Sequence, residues 1–259
     1  MKSALVRFAD WTDPVPPVER EVIAAPPADG DGKPPVLFVP GLGHGAWAYA
    51  EHWLAHTAAR GFPAYALTPR AGGDLRAHVH DVVQTAASLP RQTVLIGHGA
   101  GALVVAYAMA RYPAKAAVLA SPVLDGWVSL GAALRTNPFG TLPAVLGGRL
   151  RLSRRQLFSA ALPAEQAEEY LGRIDRLRPR RELVTHGPAA TPVGDPRVLV
   201  VGSPDDRVVP RKSLDRTAAR YGGAPLLFPG MGHDLMLDEG WAEPIEAIID
   251  WLDKELLTV

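Results

Sequence analysis

Three short segments carry the residues whose types and spacing could do chemistry. The first, Gly97-His-Gly-Ala-Gly101, closes an apolar run and opens a helical stretch. It is the frame G-x-S-x-G, in which a strained strand-to-helix turn presents a nucleophilic serine. Here the serine position is Gly99, and a residue without a side chain cannot form an acyl-enzyme. The second segment, Val200-Val-Gly-Ser-Pro-Asp-Asp-Arg-Val-Val-Pro210, sets an acidic pair just past a strand end. Asp206, in its D-x-V-V-P setting, is the better candidate acid and Asp205 the second. The third, Phe228-Pro-Gly-Met-Gly-His-Asp234, places His233 in a loop after the last strand. An imidazole oriented by a carboxylate is a competent general base near neutral pH.

Glycine at position 99 disables acyl chemistry yet suits the backbone. A side chain held in such a strained turn costs on the order of 1–3 kcal/mol, and glycine adopts the conformation at little cost. What remains is base chemistry. A His233–Asp206 dyad could deprotonate a substrate carbon or hydroxyl, or activate water in the space a serine would fill.

The elements that must position these residues alternate in type. Pro35–Pro40, Pro63–Thr68, Thr93–His98 and Ala116–Ser121 are apolar runs of strand length. Ala46–Arg60, Asp74–Ser88 and Ala100–Tyr112 have helical periodicity. This alternation predicts an α/β fold, a mostly parallel central sheet with helices on both faces. Ala4–Phe8 and Glu19–Ala24 are short strand candidates for an antiparallel edge, and the Pro/Gly-rich Ala25–Pro35 predicts a hairpin or loop. After Ser121 the rhythm stops, and it resumes with the strands Arg197–Val201 and Pro225–Phe228 and the helices Arg211–Tyr221 and Gly240–Leu256. The expected organisation is therefore a core of residues 1–122 and 196–259 with a cap insert at 123–195. The insert contains one clear amphipathic helix, Ala164–Arg176. Ligands of such sheets bind at the carboxyl ends of the strands, where the cap would lie.

Elbow, acid and histidine, in that chain order, resemble the triad segments of the α/β-hydrolase superfamily. Pro40-Gly-Leu-Gly-His-Gly-Ala-Trp47 is similar to the H-G-x-x-H-G-x-W loop of plant methylesterases and hydroxynitrile lyases, with proline in place of the first histidine. The resemblance runs from about residue 35 to the C-terminus. It implies an oxyanion hole from the backbone N–H groups of Leu42 and Ala100. It also places His44 in the pocket and gives His98 a packing or hydrogen-bonding role. Ser121 is the nearest replacement hydroxyl by topology, and Asp125 is a substitute acid; Trp47 is expected to pack the start of a helix.

Composition narrows the partners. Lys plus Arg and Asp plus Glu number 27 each, a balance that gives no support for nucleic-acid or anionic-membrane binding. The absence of cysteine excludes disulfides, thiol nucleophiles and Cys-ligated zinc. The polar N-terminus and the lack of a long apolar run lead to the expectation of a cytoplasmic protein. No metal or cofactor is called for, and the expected partner is a small, fairly apolar substrate. Two other classes stay open. One is a catalytically inactive homologue that binds a ligand or partner. The other is a dinucleotide-binding protein, because Gly97-x-Gly99-x-x-Ala102 and Gly41-x-Gly43-x-x-Ala46 formally match G-x-G-x-x-G/A. The strand after the first match ends without an acid for a ribose, and the strand after the second ends near Arg70.

Overall fold

The computed structural model describes residues 12–27 and 32–257. The described strands are β1 (Val22–Ala25), β2 (Val36–Val39), β3 (Ala64–Leu67), β4 (Val94–His98), β5 (Ala116–Ala120), β6 (Arg197–Gly202) and β7 (Leu226–Leu227). They form one sheet in the order β1-β3-β2-β4-β5-β6-β7. All neighbours are parallel except β1, which runs antiparallel along β3 with Val22 opposite Leu67. The expected Glu19–Ala24 edge strand is thus present as β1, while the Ala4–Phe8 candidate lies outside the described residues.

Both faces of the sheet are covered, so its central strands read as continuous apolar runs rather than alternating ones. Phe38, Val94, Ile96, Val118 and Val201 face one core, with Tyr49, Trp53 and the stripe Ile245, Ile248, Ile249 and Leu252 of the helix Ala242–Leu257. Leu37, Val39, Leu95, Leu119 and Val200 face the other, with Val82, Val105, Met109 and Leu214. Each fully buried Ile or Leu of these stripes contributes roughly 1.5–3 kcal/mol. The helix Leu75–Ser88 starts where Asp74 accepts a hydrogen bond from the Ala77 N–H at 2.8 Å, satisfying one of the orphan donors of the first turn.

Two expectations need correction. Ala46–Arg60 is two helices, Trp47–Ala50 and Trp53–Ala59, broken where His52 leaves the helical region (φ −140°, ψ −59°). The break lets the His52 ring stack on Trp241 with centroids 4.5 Å apart, while the Trp53 indole donates to the Trp241 carbonyl. Between β5 and β6 the chain is more helical than its Gly/Pro content implied. It holds Gly126–Thr136, Pro138–Val145, Arg154–Leu157, Ala164–Arg173 and Glu182–Thr185.

The strand register aligns the carboxyl ends: Val39 lies opposite Gly97, His98 opposite Ala120, and Ala120 opposite Val201. The chain order reverses between β2 and β4, because β3 lies on one side of β2 and β4 on the other. That switch point is where the loops after β2 and β4 diverge and leave a crevice. The Pro40–Trp47 loop and Gly99 both emerge there.

Candidate active site

Gly99 sits at φ 54°, ψ −118°, between β4 and the helix Ala100–Ala108. The turn is tight because the helix starts against the end of β2. A Cβ on Gly97 would come within 2.7 Å of the Ala102 Cα, and one on Gly101 would collide with the Val39 and Pro40 carbonyls. Those two glycines are therefore required by packing. Gly99 is different: a Cβ there would meet nothing closer than the His233 Nε2, at 3.2 Å. Positive φ disfavours a side chain at position 99, and the His233 ring would have to give slightly to admit one.

His233 and Asp206 come together as expected. The His233 Nδ1–H donates to Asp206 Oδ2 at 2.8 Å, and both residues are buried. Asp206 Oδ1 accepts from the backbone N–H groups of Val208 (2.7 Å) and Val209 (2.9 Å), so the D-x-V-V-P segment wraps around its own carboxylate. With the proton fixed on Nδ1, the basic lone pair of neutral His233 is on Nε2, which faces the space above Gly99. Burial alone would push the imidazole down. The charge of Asp206 and its hydrogen bond, helped by Asp234, outweigh that and hold His233 above its ordinary value. Asp205 is exposed and outside the cavity; its Oδ2 accepts from the Gly230 N–H at 2.8 Å, tying the acid loop to the histidine loop.

A second network lies beneath the first. Asp234 is fully buried, and its Oδ2 accepts from the Nε2–H of His44 at 2.9 Å. Its Oδ1 lies 3.5 Å from the Nε2 of His98, which itself donates to the His233 carbonyl at 3.0 Å. Burial would raise the Asp234 carboxyl, but the charge and hydrogen bond of His44, then His98 and His233, hold it below its usual value. His98 is pushed down to about 4, first by burial and then by the charge of His233. Its Nδ1 has no partner and would lie 2.9 Å from a Cβ on Gly41, which keeps that position glycine. His98, His233 and Asp234 are the one group of described residues whose ligand-type atoms fall within 4.8 Å of one another, as a metal ion would require. The His233 Nδ1 and Asp234 Oδ2 are already hydrogen-bonded within the two networks.

His44, His98 and His233 border a cavity of ≈ 530 Å³. Leu42, His44, His98, Gly99, Ala100 and His233 form its floor, and its walls come from the β5–β6 connection through Trp127, Leu130, Leu150 and Leu152. Leu42 and Ala100 thus line the same cavity as His233, and the Ala100 N–H lies in a first helical turn, where no intrahelical acceptor exists. A second cavity of ≈ 780 Å³ lies across the 41–44 loop, against Trp47, Thr68, Arg70 and Asp175. Both loops are attached to the β5–β6 connection by backbone bonds. Asp175 N–H donates to Gly43 O (2.9 Å), His233 N–H to Gln156 O (3.3 Å) and Asp234 N–H to Leu157 O (2.9 Å).

Other candidates lie elsewhere. Ser121 is fully buried at φ 42°, does not line the cavity, and its Oγ has no partner. Asp125 pairs with Arg216 at 2.6 Å. Arg70, the cation a dinucleotide phosphate would need, donates twice to Asp81 at 2.6 Å. Trp47 carries the Arg173 guanidinium over its ring at 4.1 Å. Sequence inspection gave no role to Asp234, Trp127, Arg180 or Arg181. The one available signal was that Asp234 directly follows His233 in a chain order already matched to a triad.

The comparisons with known proteins agree with this fold. A model of the alpha/beta hydrolase family matches residues 36–251. A soluble variant of monoglyceride lipase from Saccharomyces cerevisiae has a similar fold, with a TM-score of 0.68 at 13% identity, over 93% of this chain and 96% of that one. An esterase from Exiguobacterium antarcticum gives 0.65 at 13% identity, over 90% and 95%. Polyneuridine aldehyde esterase gives 0.64 at 16% identity, over 84% and 98%. Identities this low show the shared fold alone. No curated protein matches this chain.

Proposed function

The chain belongs to the alpha/beta hydrolase family, and on that premise we propose that it is an enzyme whose general base is the His233–Asp206 dyad. Its substrate is small and largely apolar, and the reaction proceeds without a serine acyl-enzyme. Residues 123–195 act as a cap over the core of 1–122 and 196–259. One observation carries this: the Nε2 of an aspartate-oriented imidazole opens on a mostly apolar cavity above a position with no side chain.

The chemistry follows from those atoms. Nε2 takes a proton from a substrate C–H or O–H, and the released electron pair moves toward a carbonyl, placing negative charge on its oxygen. The Leu42 and Ala100 amides stabilise that oxyanion. Returning the proton to a different carbon completes an isomerisation. Collapse of the oxyanion with departure of a leaving group that takes the proton completes a lyase step. Attack of the freed electron pair on a carbonyl of the same molecule, with the proton passing to its oxygen, completes a cyclisation. A water in the space above Gly99 could instead be deprotonated and attack the carbonyl. Ordinary fast ester hydrolysis is not expected, since loss of a nucleophile leaves only residual activity.

The test compares the native chain, Gly99→Ser and His233→Ala on short activated esters. Gly99→Ser should raise hydrolysis by about 10²-fold or more and melt lower, from the strain of a side chain at positive φ. The slow native turnover should rise with pH through a value above 6.5, because the base works only when neutral. It should disappear in His233→Ala. Native turnover that survives His233→Ala would overturn the dyad as the base, and a folded Gly99→Ser variant that stays inert would leave a binding pocket in the enzyme's place.

A further inference from the structure

The cavity walls are apolar, with Leu103, Val123, Leu130, Leu150 and Leu152 among them. Among the described lining residues the charged side chains are Arg180 and Arg181, and no Asp or Glu joins them. Both arginines are exposed, and neither takes part in an ion pair or side-chain hydrogen bond among the described residues. Arg173 nearby is engaged by contrast, pairing with Glu51 and covering Trp47. The two arginines end the run Arg176-Leu-Arg-Pro-Arg-Arg181, in a chain whose overall charge balances to zero.

Their backbone is anchored. Leu183 and Val184 N–H groups donate to the Arg180 and Arg181 carbonyls at 3.0 Å each. The turn so formed presses on the helix Gly126–Thr136, where a Cβ on Gly126 would lie 2.6 Å from the Val184 Cα. Two unpaired guanidinium groups therefore lie at the edge of this apolar cavity, Arg180 also bordering the second cavity with Asp74, Asp175 and Glu182. Guanidinium matches planar oxyanions by paired N–H···O bonds.

We propose that the ligand of this cavity is an amphiphile, an apolar body bearing one anionic carboxylate or phosphate group that Arg180 and Arg181 bind at the edge. This rests on the cavity's being the substrate site and adds the substrate's class. Apolar burial supplies most of the affinity, and the arginines fix which end of the molecule stays outside the reach of His233.

The experiment titrates the intact protein with octanoate, octyl phosphate, 1-octanol and octylamine, read by tryptophan fluorescence, since Trp127 lines the cavity. At low salt the two anions should bind roughly fivefold or more tighter than octanol, and octylamine weakest. A preference between the anions identifies the head group as carboxylate or phosphate. The double variant Arg180→Ala/Arg181→Ala should lose the preference and keep its affinity for octanol. Arg180→Lys/Arg181→Lys should retain part of the preference. Octanol binding as tightly as octanoate, a preference that survives the alanine variant, or no saturable binding of any probe would each overturn it. The His233 dyad can fail while this preference stands, because the titration requires no turnover.

Discussion

A single buried carboxylate, Asp234, lies against His44 and His98 and adds its charge to the field at His233. Replacing it with asparagine keeps the shape and removes the charge. Asp234→Asn should cost about 1–3 kcal/mol in a urea melt, because a charged hydrogen bond in a fully buried site is weakened. Asp234 also helps hold His233 high, so the rising limb of the pH–rate profile should move to lower pH in this variant. An unmoved limb would mean that the charge of Asp234 does not reach the base. At this scale Gly99, Asp206 and His233 were legible in the sequence because each sits in a loop with its own local pattern. Asp234 was not legible: a carboxylate after a histidine looks the same whether it faces solvent or three imidazoles.

The loop carrying His233 is seated by contact between elements. A Cβ on Gly232 would lie 2.6 Å from the Phe158 Cα and overlap the Leu157 carbonyl. Gly232→Ala must push the loop away from the helix Arg154–Leu157, at a cost of about 1–3 kcal/mol. Thermal melting should show that loss, and ester turnover in a Gly99→Ser background should fall with it; an unchanged turnover would mean that the imidazole position is set elsewhere. Strands were legible because β2, β4 and β5 are short apolar runs bounded by turn residues. Of the helices in the β5–β6 connection, Ala164–Arg173 was legible from its amphipathic period and the others were not. Pro138 begins one and Pro143 lies inside it, and Phe139, Leu142 and Leu146 are exposed on its surface, so neither breaker residues nor apolar period signalled a helix. Where side chains pack on another element rather than on their own periodic stripe, as at His52 on Trp241, sequence period misplaces the boundary.

Across the whole molecule, buried histidines set the response to acid. His98 is held at about 4, against an ordinary value near 6.5, so the unfolded chain binds its proton first. Stability is then unaffected by this group above pH 6.5 and falls as pH drops from 6.5 toward 4, by up to about 3 kcal/mol. His52, His78 and His80 are lowered too, each mainly by burial, and add in the same direction. His233 opposes them: its value is raised, so its contribution is full below 6.5 and is lost as pH rises through the folded value. Asp234 contributes above its ordinary value and loses that as pH falls through its lowered one. Melts at pH 7 and pH 4.5 should differ less in His98→Asn than in the native chain; an equal difference would place the acid sensitivity elsewhere. No described helix is long and apolar enough to cross a membrane.

The backbone bonds from Asp175 to Gly43, from His233 to Gln156 and from Asp234 to Leu157 bear on how such a molecule changes over generations. Residues that shape the cavity walls share their main chain with residues that seat the 41–44 and 228–234 loops. Specificity and competence are therefore inherited together. Grafting the 123–195 stretch of another family member onto this sheet would replace the seats of the 41–44 and 228–234 loops along with the walls, and a hybrid that folds would still have to evolve both anew. Point changes at wall positions such as Trp127, Leu130 or Leu150 leave those seats untouched, and they are the short route by which this scaffold can acquire a new substrate.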